Sequence, residues 1–140
     1  MNPIDEVINK YAFSDSNSTS QNAPQSVTTA QSDIGDQSYN GYCQAFVEQA
    51  TYGKQGLFGA TAYDAWNNFN KKGQATQGTQ GIQPGDIIYF SPTQQVPAGH
   101  TGIYEGGNNF VSATDDGVQS NDLSKWQQAT GQQILGYVHP

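Results

Sequence analysis

A single cysteine, Cys43, stands in the 140-residue chain, so no internal disulfide can form and the fold must rest on packing. Basic residues are almost as scarce. Five Lys and Arg against twelve Asp and Glu give a net charge of −7 and a pI near 4.3. Without a basic patch to displace counterions from phosphates, no nucleic-acid binding is expected. Adsorption to anionic membranes or wall polymers is disfavoured on the same ground. No apolar run reaches the length of a membrane span, so membrane insertion is not expected either. The start, Met1-Asn2-Pro3-Ile4-Asp5-Glu6, lacks the basic and apolar segments of a secretory signal. A target outside a cell therefore calls for delivery by something else. Hydrophobic residues make up 34% of the chain and charged ones 12%, with a mean hydropathy of −0.68. The polarity comes from Gln, Asn, Ser and Thr, so part of the chain is not expected to join a core.

Three zones follow from the pattern. In residues 1–13, Asn2 can cap a helix, Pro3 suits its first position, and Ile4, Val7, Ile8 and Tyr11 fall at helical spacing. This predicts a short amphipathic helix, too short to be stable alone, that either packs on its own domain or docks onto a larger assembly. Residues 14–38 carry almost no large apolar side chain and read as a polar flexible linker, or as an extended strap. Residues 39–140 look globular. One helix opens near Cys43, with Cys43, Phe46, Val47 and Ala50 on one face. A second, over 61–69, is capped by Thr61 and Asp64, buries Ala62, Ala65, Trp66 and Phe69, and stops at Lys71-Lys72-Gly73. The turn Pro84-Gly85-Asp86 launches a strand over 87–90, and strands over 101–105 and 109–113 form a hairpin turning at Gly106-Gly107. A short helix near 122–126 leads into a strand over 134–138. Helices followed by an antiparallel meander predict an α+β domain of about 100 residues.

Two segments carry the residue types of a thiol nucleophile and its base. Cys43 lies in Asn40-Gly41-Tyr42-Cys43-Gln44-Ala45-Phe46-Val47, where a glycine-containing loop gives way to a helix. A helix start aims unpaired N–H groups and partial positive charge at the thiol, which favours the thiolate and can receive an oxyanion. Gly41 allows a sharp turn and leaves room for a substrate. A lone cysteine is also often a small buried hydrophobe. His100, in Ala98-Gly99-His100-Thr101-Gly102-Ile103-Tyr104, shifts the balance, because an imidazole at a strand start can take the thiol proton and return it to a leaving amine. His139 reads as part of a frayed tail. One Cys and one such His fall short of a zinc set, so neither a metal nor a cofactor is expected. With the turn at Gly106-Gly107, Ser112 and Ala113 come opposite His100. Ser112 is then the candidate third catalytic residue, with Asp115 and Asp116 the alternatives if the register slips. Tyr42, Gly99 and Asp86 are the candidate substrate-binding positions.

Three segments, taken in order, carry a family resemblance: 41–47, then Ile82-Gln83-Pro84-Gly85-Asp86-Ile87-Ile88-Tyr89-Phe90, then 99–104. Over residues 39–140 the chain resembles the NlpC-type and CHAP-type cell-wall peptidases. The resemblance implies a papain-like α+β core, with N-terminal helices packed on a small antiparallel β-sheet. It implies cleavage of amide bonds in peptidoglycan stem peptides or cross-bridges, with Cys43 as nucleophile and His100 as base. The chain departs from the NlpC pattern at Tyr42, where Asp is frequent, and at Ser112, where a second histidine is common. Asp64-Ala65-Trp66-Asn67 and Leu135-Gly136-Tyr137-Val138 resemble phage-encoded members most closely. That implies a phage tail or lysis (endolysin) role, with tail proteins as partners of residues 2–13, and a location on the virion or in the host cytoplasm before release to the wall. Two other readings stay open. One is a virion module that keeps the fold without activity, which Tyr42 and Ser112 favour; the other is an N-acetylmuramoyl-L-alanine amidase.

Overall fold

The computed structural model of the chain describes residues 24–140. The helix expected over 2–13 and the first part of the expected linker lie outside them. Among the described residues there are four helices, α1 (Gln25–Ser32), α2 (Cys43–Tyr52), α3 (Ala62–Lys71) and α4 (Leu123–Thr130). Six strands accompany them: β1 (Ala75–Gln77), β2 (Ile87–Phe90), β3 (His100–Gly106), β4 (Asn109–Thr114), β5 (Gly117–Asp122) and β6 (Ile134–Val138). They form one antiparallel sheet in the order β1-β6-β2-β3-β4-β5. The architecture is the α+β arrangement that the sequence pattern predicts.

The sheet separates two cores. Ile87 and Tyr89 of β2 join Ile103, Val111 and Val138 against Phe46 and Val47 of α2 and Ala65, Trp66 and Phe69 of α3. On the other face Ile88 and Phe90 pack with Phe110 and Leu123, and Tyr104, Trp126 and Ile134 close the cluster beneath α4. All four residues of β2 are therefore buried, which is why its sequence is a continuous apolar run rather than an alternating one.

α3 forms as its sequence predicts. Thr61 Oγ1 accepts the Asp64 N–H at 3.1 Å, and Ala62, Ala65, Trp66 and Phe69 are buried. α2 buries Phe46 and Val47 and also Gln44 and Glu48, two polar residues that its apolar stripe does not predict. Both are paired. Tyr89 O–H donates to Gln44 Oε1 (3.1 Å), and Gln44 Nε2 donates to Glu48 Oε2 (2.9 Å). The Glu48 carboxylate also accepts the backbone N–H groups of Leu57 (3.0 Å) and Phe58 (3.1 Å), tying the following loop to the helix.

The expected polar linker over 14–38 is corrected where it is described. Residues 25–32 are helical, and Val27 and Ala30 are fully buried in the main core. The loop that follows is laced to the β4–β5 turn. Gly35 N–H donates to Val118 O (2.9 Å) and Val118 N–H to Asp36 O (3.0 Å), while Asn40 Nδ2 reaches Asp115 O (3.0 Å). Two apolar side chains on one helical face suffice because the groove they enter and the partners of the loop's polar groups belong to distant strands. The β3–β4 turn also sits one residue later than expected, at Gly107-Asn108, with φ of 60° and 69°. Two successive left-handed residues make the twist that a two-residue hairpin needs. β1 and β5 were not expected. β1 has three residues and β5 is polar apart from Val118, so neither shows a sequence period.

If α1 is part of the domain, Val27→Ala should lower stability by about 2 kcal/mol through lost burial and a cavity. Urea unfolding measures this; an unchanged midpoint would mean that α1 contributes no packing.

Candidate active site

Cys43 is the first residue of α2. Gly41 turns the chain into the helix at φ 83°, and Tyr42 precedes it with φ −128° and no side-chain cap. The first helical hydrogen bond runs from Phe46 N–H to Tyr42 O (3.0 Å), so the N–H groups of Cys43, Gln44 and Ala45 have no partner within the helix. Those of Cys43 and Gln44 lie at the thiol.

His100 is the first residue of β3 and pairs with Phe90 of β2. Gly99 delivers it at φ 71°, where a Cβ would lie 2.8 Å from Phe90 O and 3.5 Å from Tyr63 Cβ. Only glycine fits. His100 Nε2 and Ser112 Oγ are 2.9 Å apart and buried. Continuing the Ile103–Val111 pairing puts Gly102 opposite Ser112, so His100 is the diagonal neighbour of Ser112 on the same face. Gly102 makes that approach possible, since a Cβ there would lie 2.6 Å from Phe110 Cδ2 and 2.9 Å from Ser112 Cβ. With Nε2 protonated, the ring donates to Ser112 and leaves the Nδ1 lone pair as the base. Among the described residues Ser112 is the only hydrogen-bond partner of the imidazole.

The rest of the surroundings are aromatic. Trp126 of α4 stacks on the imidazole with centroids 4.5 Å apart and planes at 20°, while Phe90 and Phe110 lie at 5.9 and 6.2 Å. Sequence reasoning missed Gly102, Phe90, Phe110 and Trp126. Only the alternation along 100, 102 and 104 hinted at a second buried face.

Burial sets the charge state of the pair. It pushes His100 down to about 3 and the Cys43 thiol up to about 11, while the backbone N–H groups of Thr101, Gln44 and Cys43 pull the thiol the other way and the charge of Asp115 adds to the rise. The expectation that the helix start would favour a thiolate is therefore corrected: desolvation outweighs the helix N–H groups. The resting pair is thiol and neutral imidazole. The Thr101 N–H beside the sulfur places the thiol against the start of β3, the strand that opens with His100.

The remaining candidates separate. Asp115 and Asp116 lie in the β4–β5 turn, where their carbonyls accept from Asn40 and Gln37, and neither is the partner of His100. Asp86 is corrected as a substrate-binding residue. It is 1% exposed and sits at the far end of β2, its carboxylate accepting the Gln83 N–H (2.8 Å) and meeting His139 Nδ1 at 2.5 Å. At ~3.3 Å per residue it is about 13 Å along the strand from Phe90. His139 is thereby anchored rather than frayed. Tyr42 is 66% exposed beside Cys43 and borders a groove of about 350 Å³ with Ser38, Tyr39, Ala45 and Gln55. No cluster of three metal-ligating side chains occurs among the described residues.

The profile of the NlpC/P60 family matches residues 15–134. Gamma-DL-glutamyl hydrolase of Bacillus subtilis is 46% identical over 35 residues, which is 25% of this chain and 8% of that protein. Among solved structures, NlpC2 of Trichomonas vaginalis superposes with a TM-score of 0.57 at 19% identity, over 81% of this chain and 44% of that one. A protein of Staphylococcus aureus described as similar to lipoprotein, NLP/P60 family, gives 0.56 at 23% identity, over 91% and 46%. The peptidoglycan hydrolase RipB of Mycobacterium tuberculosis gives 0.54 at 16% identity, over 82% and 62%. The chain thus spans less than two thirds of each of these relatives. The likeness to the solved structures shows the fold, the papain-like α+β fold that the resemblance implies.

Folding must keep His100 neutral, which gives a signed pH dependence. The unfolded chain binds a proton at this residue below about pH 6.5, whereas the folded one refuses it until about pH 3. Stability is therefore expected to fall as the pH drops from 6.5, by up to about 1.4 kcal/mol per pH unit. Urea unfolding of the parent and of His100→Gln between pH 6.5 and 5 should show a shallower loss in the variant; parallel curves would contradict the burial of the imidazole.

Proposed function

The chain belongs to the NlpC/P60 family, and from that premise we propose that it is a cysteine hydrolase that cuts amide bonds in peptidoglycan peptides. The observation that carries this reading is the meeting of two element starts. The thiol of Cys43 at the head of α2 lies against the Thr101 N–H of β3, and the imidazole of His100, the residue before Thr101, is held by Ser112.

In this reading the Cys43 sulfur attacks the carbonyl carbon of the amide as its proton passes to His100 Nδ1. The two charges appear together in a poorly solvated place, so each stabilises the other. The carbonyl oxygen becomes an oxyanion facing the unpaired N–H groups at the head of α2. Collapse breaks the C–N bond, and the imidazolium protonates the departing amine. A water molecule, deprotonated by His100, then attacks the thioester and releases a carboxylate, which returns the thiol. Ser112 keeps Nε2 in place throughout, and Tyr42 and the neighbouring groove receive the peptide.

Cleavage of a peptide bond rather than the muramoyl–alanine amide is supported by the partial identity to a gamma-DL-glutamyl hydrolase. Carriage to the wall by a phage tail or lysis apparatus, with residues 2–13 as the docking segment, is supported by the sequence resemblance. One observation favours a second reading, a module of the same fold without turnover: the imidazole hydrogen-bonds to Ser112 and not to Cys43.

Cys43→Ala should abolish release of soluble fragments from purified peptidoglycan, and equal release by mutant and parent would rule out the proposed nucleophile. Ser112→Ala should lower kcat by about 10- to 100-fold with little change in KM, as expected for a weakened base. Masses of the released fragments identify the bond, since an amidase frees the whole stem peptide and an endopeptidase does not.

A further inference from the structure

We infer that the groove beside Cys43 is a charge filter: it takes a wall-peptide segment whose carboxyl groups next to the scissile bond are capped as amides, and turns away the same segment with free carboxylates. The inference rests on the hydrolase reading and deepens it by naming the class of peptide the site accepts.

The groove begins one residue before the thiol. Ser38, Tyr39 and Tyr42 come from the loop before α2, Ala45 from the helix and Gln55 from the loop after it, around a space of about 350 Å³. None of these side chains is charged. Their hydroxyls and amide can exchange hydrogen bonds with the amide groups of a peptide. A carboxylate entering the same space would give up water without meeting a cation in the walls.

Carboxylates stand around it. Asp36 Oδ1 accepts the N–H of Ser38, a wall residue, at 2.8 Å, and that bond holds the Asp36 carboxyl below its usual pKa and so ionised. Burial, and then the charges of Asp33 and Asp36, keep the Tyr39 phenol above its usual value. From the β4–β5 turn Asp115 is tied to Asn40, whose Nδ2 donates to its carbonyl (3.0 Å), and Asp116 is tied likewise to Gln37 Nε2 (3.1 Å). The lysines of the described residues are 54, 71, 72 and 125. Lys71 and Lys72 end α3, Lys125 belongs to α4, and only Lys54 adjoins a wall residue, Gln55, with its side chain exposed to screening by solvent.

This rim has a cost, because Asp115 adds to the burial that keeps Cys43 protonated. What it offsets is the pull of α2. The start of a helix attracts any anion, and a free carboxylate drawn there would occupy the place of the oxyanion. The aspartates repel such a group and leave an uncharged amide unaffected.

The field at the thiol can be read without turnover. Cys43 is the sole cysteine and is partly exposed. Its rates with 2-(trimethylammonio)ethyl and 2-sulfonatoethyl methanethiosulfonate, each divided by that of a small free thiol, form a ratio from which the thiolate fraction cancels. At about 10 mM salt the cationic reagent should lead about tenfold, and at about 1 M, where screening acts within about 3 Å, the lead should nearly vanish. Asp36→Asn and Asp115→Asn should each cut the lead by about two- to threefold. Synthetic wall peptides that differ only in a free or amidated carboxyl beside the scissile bond test the selectivity itself. The parent should cleave the amidated one with about tenfold higher kcat/KM, and the gap should narrow in Asp115→Asn. Equal reagent rates at low salt, or a lead that neither substitution moves, overturns the inference. Faster cleavage of the free-carboxyl peptide overturns it too and assigns the groove's selectivity to Lys54. A parent that cleaves neither peptide counts against the hydrolase reading, and the reagent ratio then decides the charge filter alone.

Discussion

Burial of β2 on both faces is the constraint from which the site follows. Tyr89 points toward α2 and gives its hydroxyl to Gln44, the residue after Cys43, so the helix start is seated on the strand. Phe90 points the other way, pairs with His100 across the sheet and packs against its ring. Cys43 and His100 are thus referred to neighbouring residues of one rigid, buried strand. A site built on a strand and a helix start holds its geometry better than one carried on loops.

The same burial sets the electrostatics. A helix start alone would draw the thiol toward ionisation, and an exposed imidazole would titrate near neutrality. Enclosure reverses both tendencies, because removing water costs a charged group more than a few backbone N–H groups return. Burial therefore favours the neutral form of both groups. Ser112 suits such a site. A hydroxyl orients a neutral imidazole, and the aromatic surroundings supply the exclusion of water that a hydroxyl cannot.

Much of this was legible locally. The helical spacing of Ala62, Ala65, Trp66 and Phe69, the Thr61 cap, the turn before Ile87 and the glycines around His100 each specify structure within a few residues. Ser112 could be placed near His100 because a hairpin pairs residues by their distance from its turn, while the bulge after Tyr104 shifts the register by one and brings Ser112 onto the face of His100. Helix α1 was not legible, because its two buried side chains are justified only by the core they enter. Nor was the role of Asp86, whose carboxylate is satisfied by Gln83 and by His139 far along the chain.

The sequence by itself determined the fold class, the family and the candidate pair Cys43 and His100, because periodicity, turns and ordered motifs are short-range properties. Only the tertiary structure decided the protonation state of Cys43 and His100, the choice of Ser112 over Asp115 and Asp116, and the cover provided by Trp126. Those depend on which distant side chains exclude water from a given atom, and desolvation belongs to the packed molecule rather than to any stretch of chain.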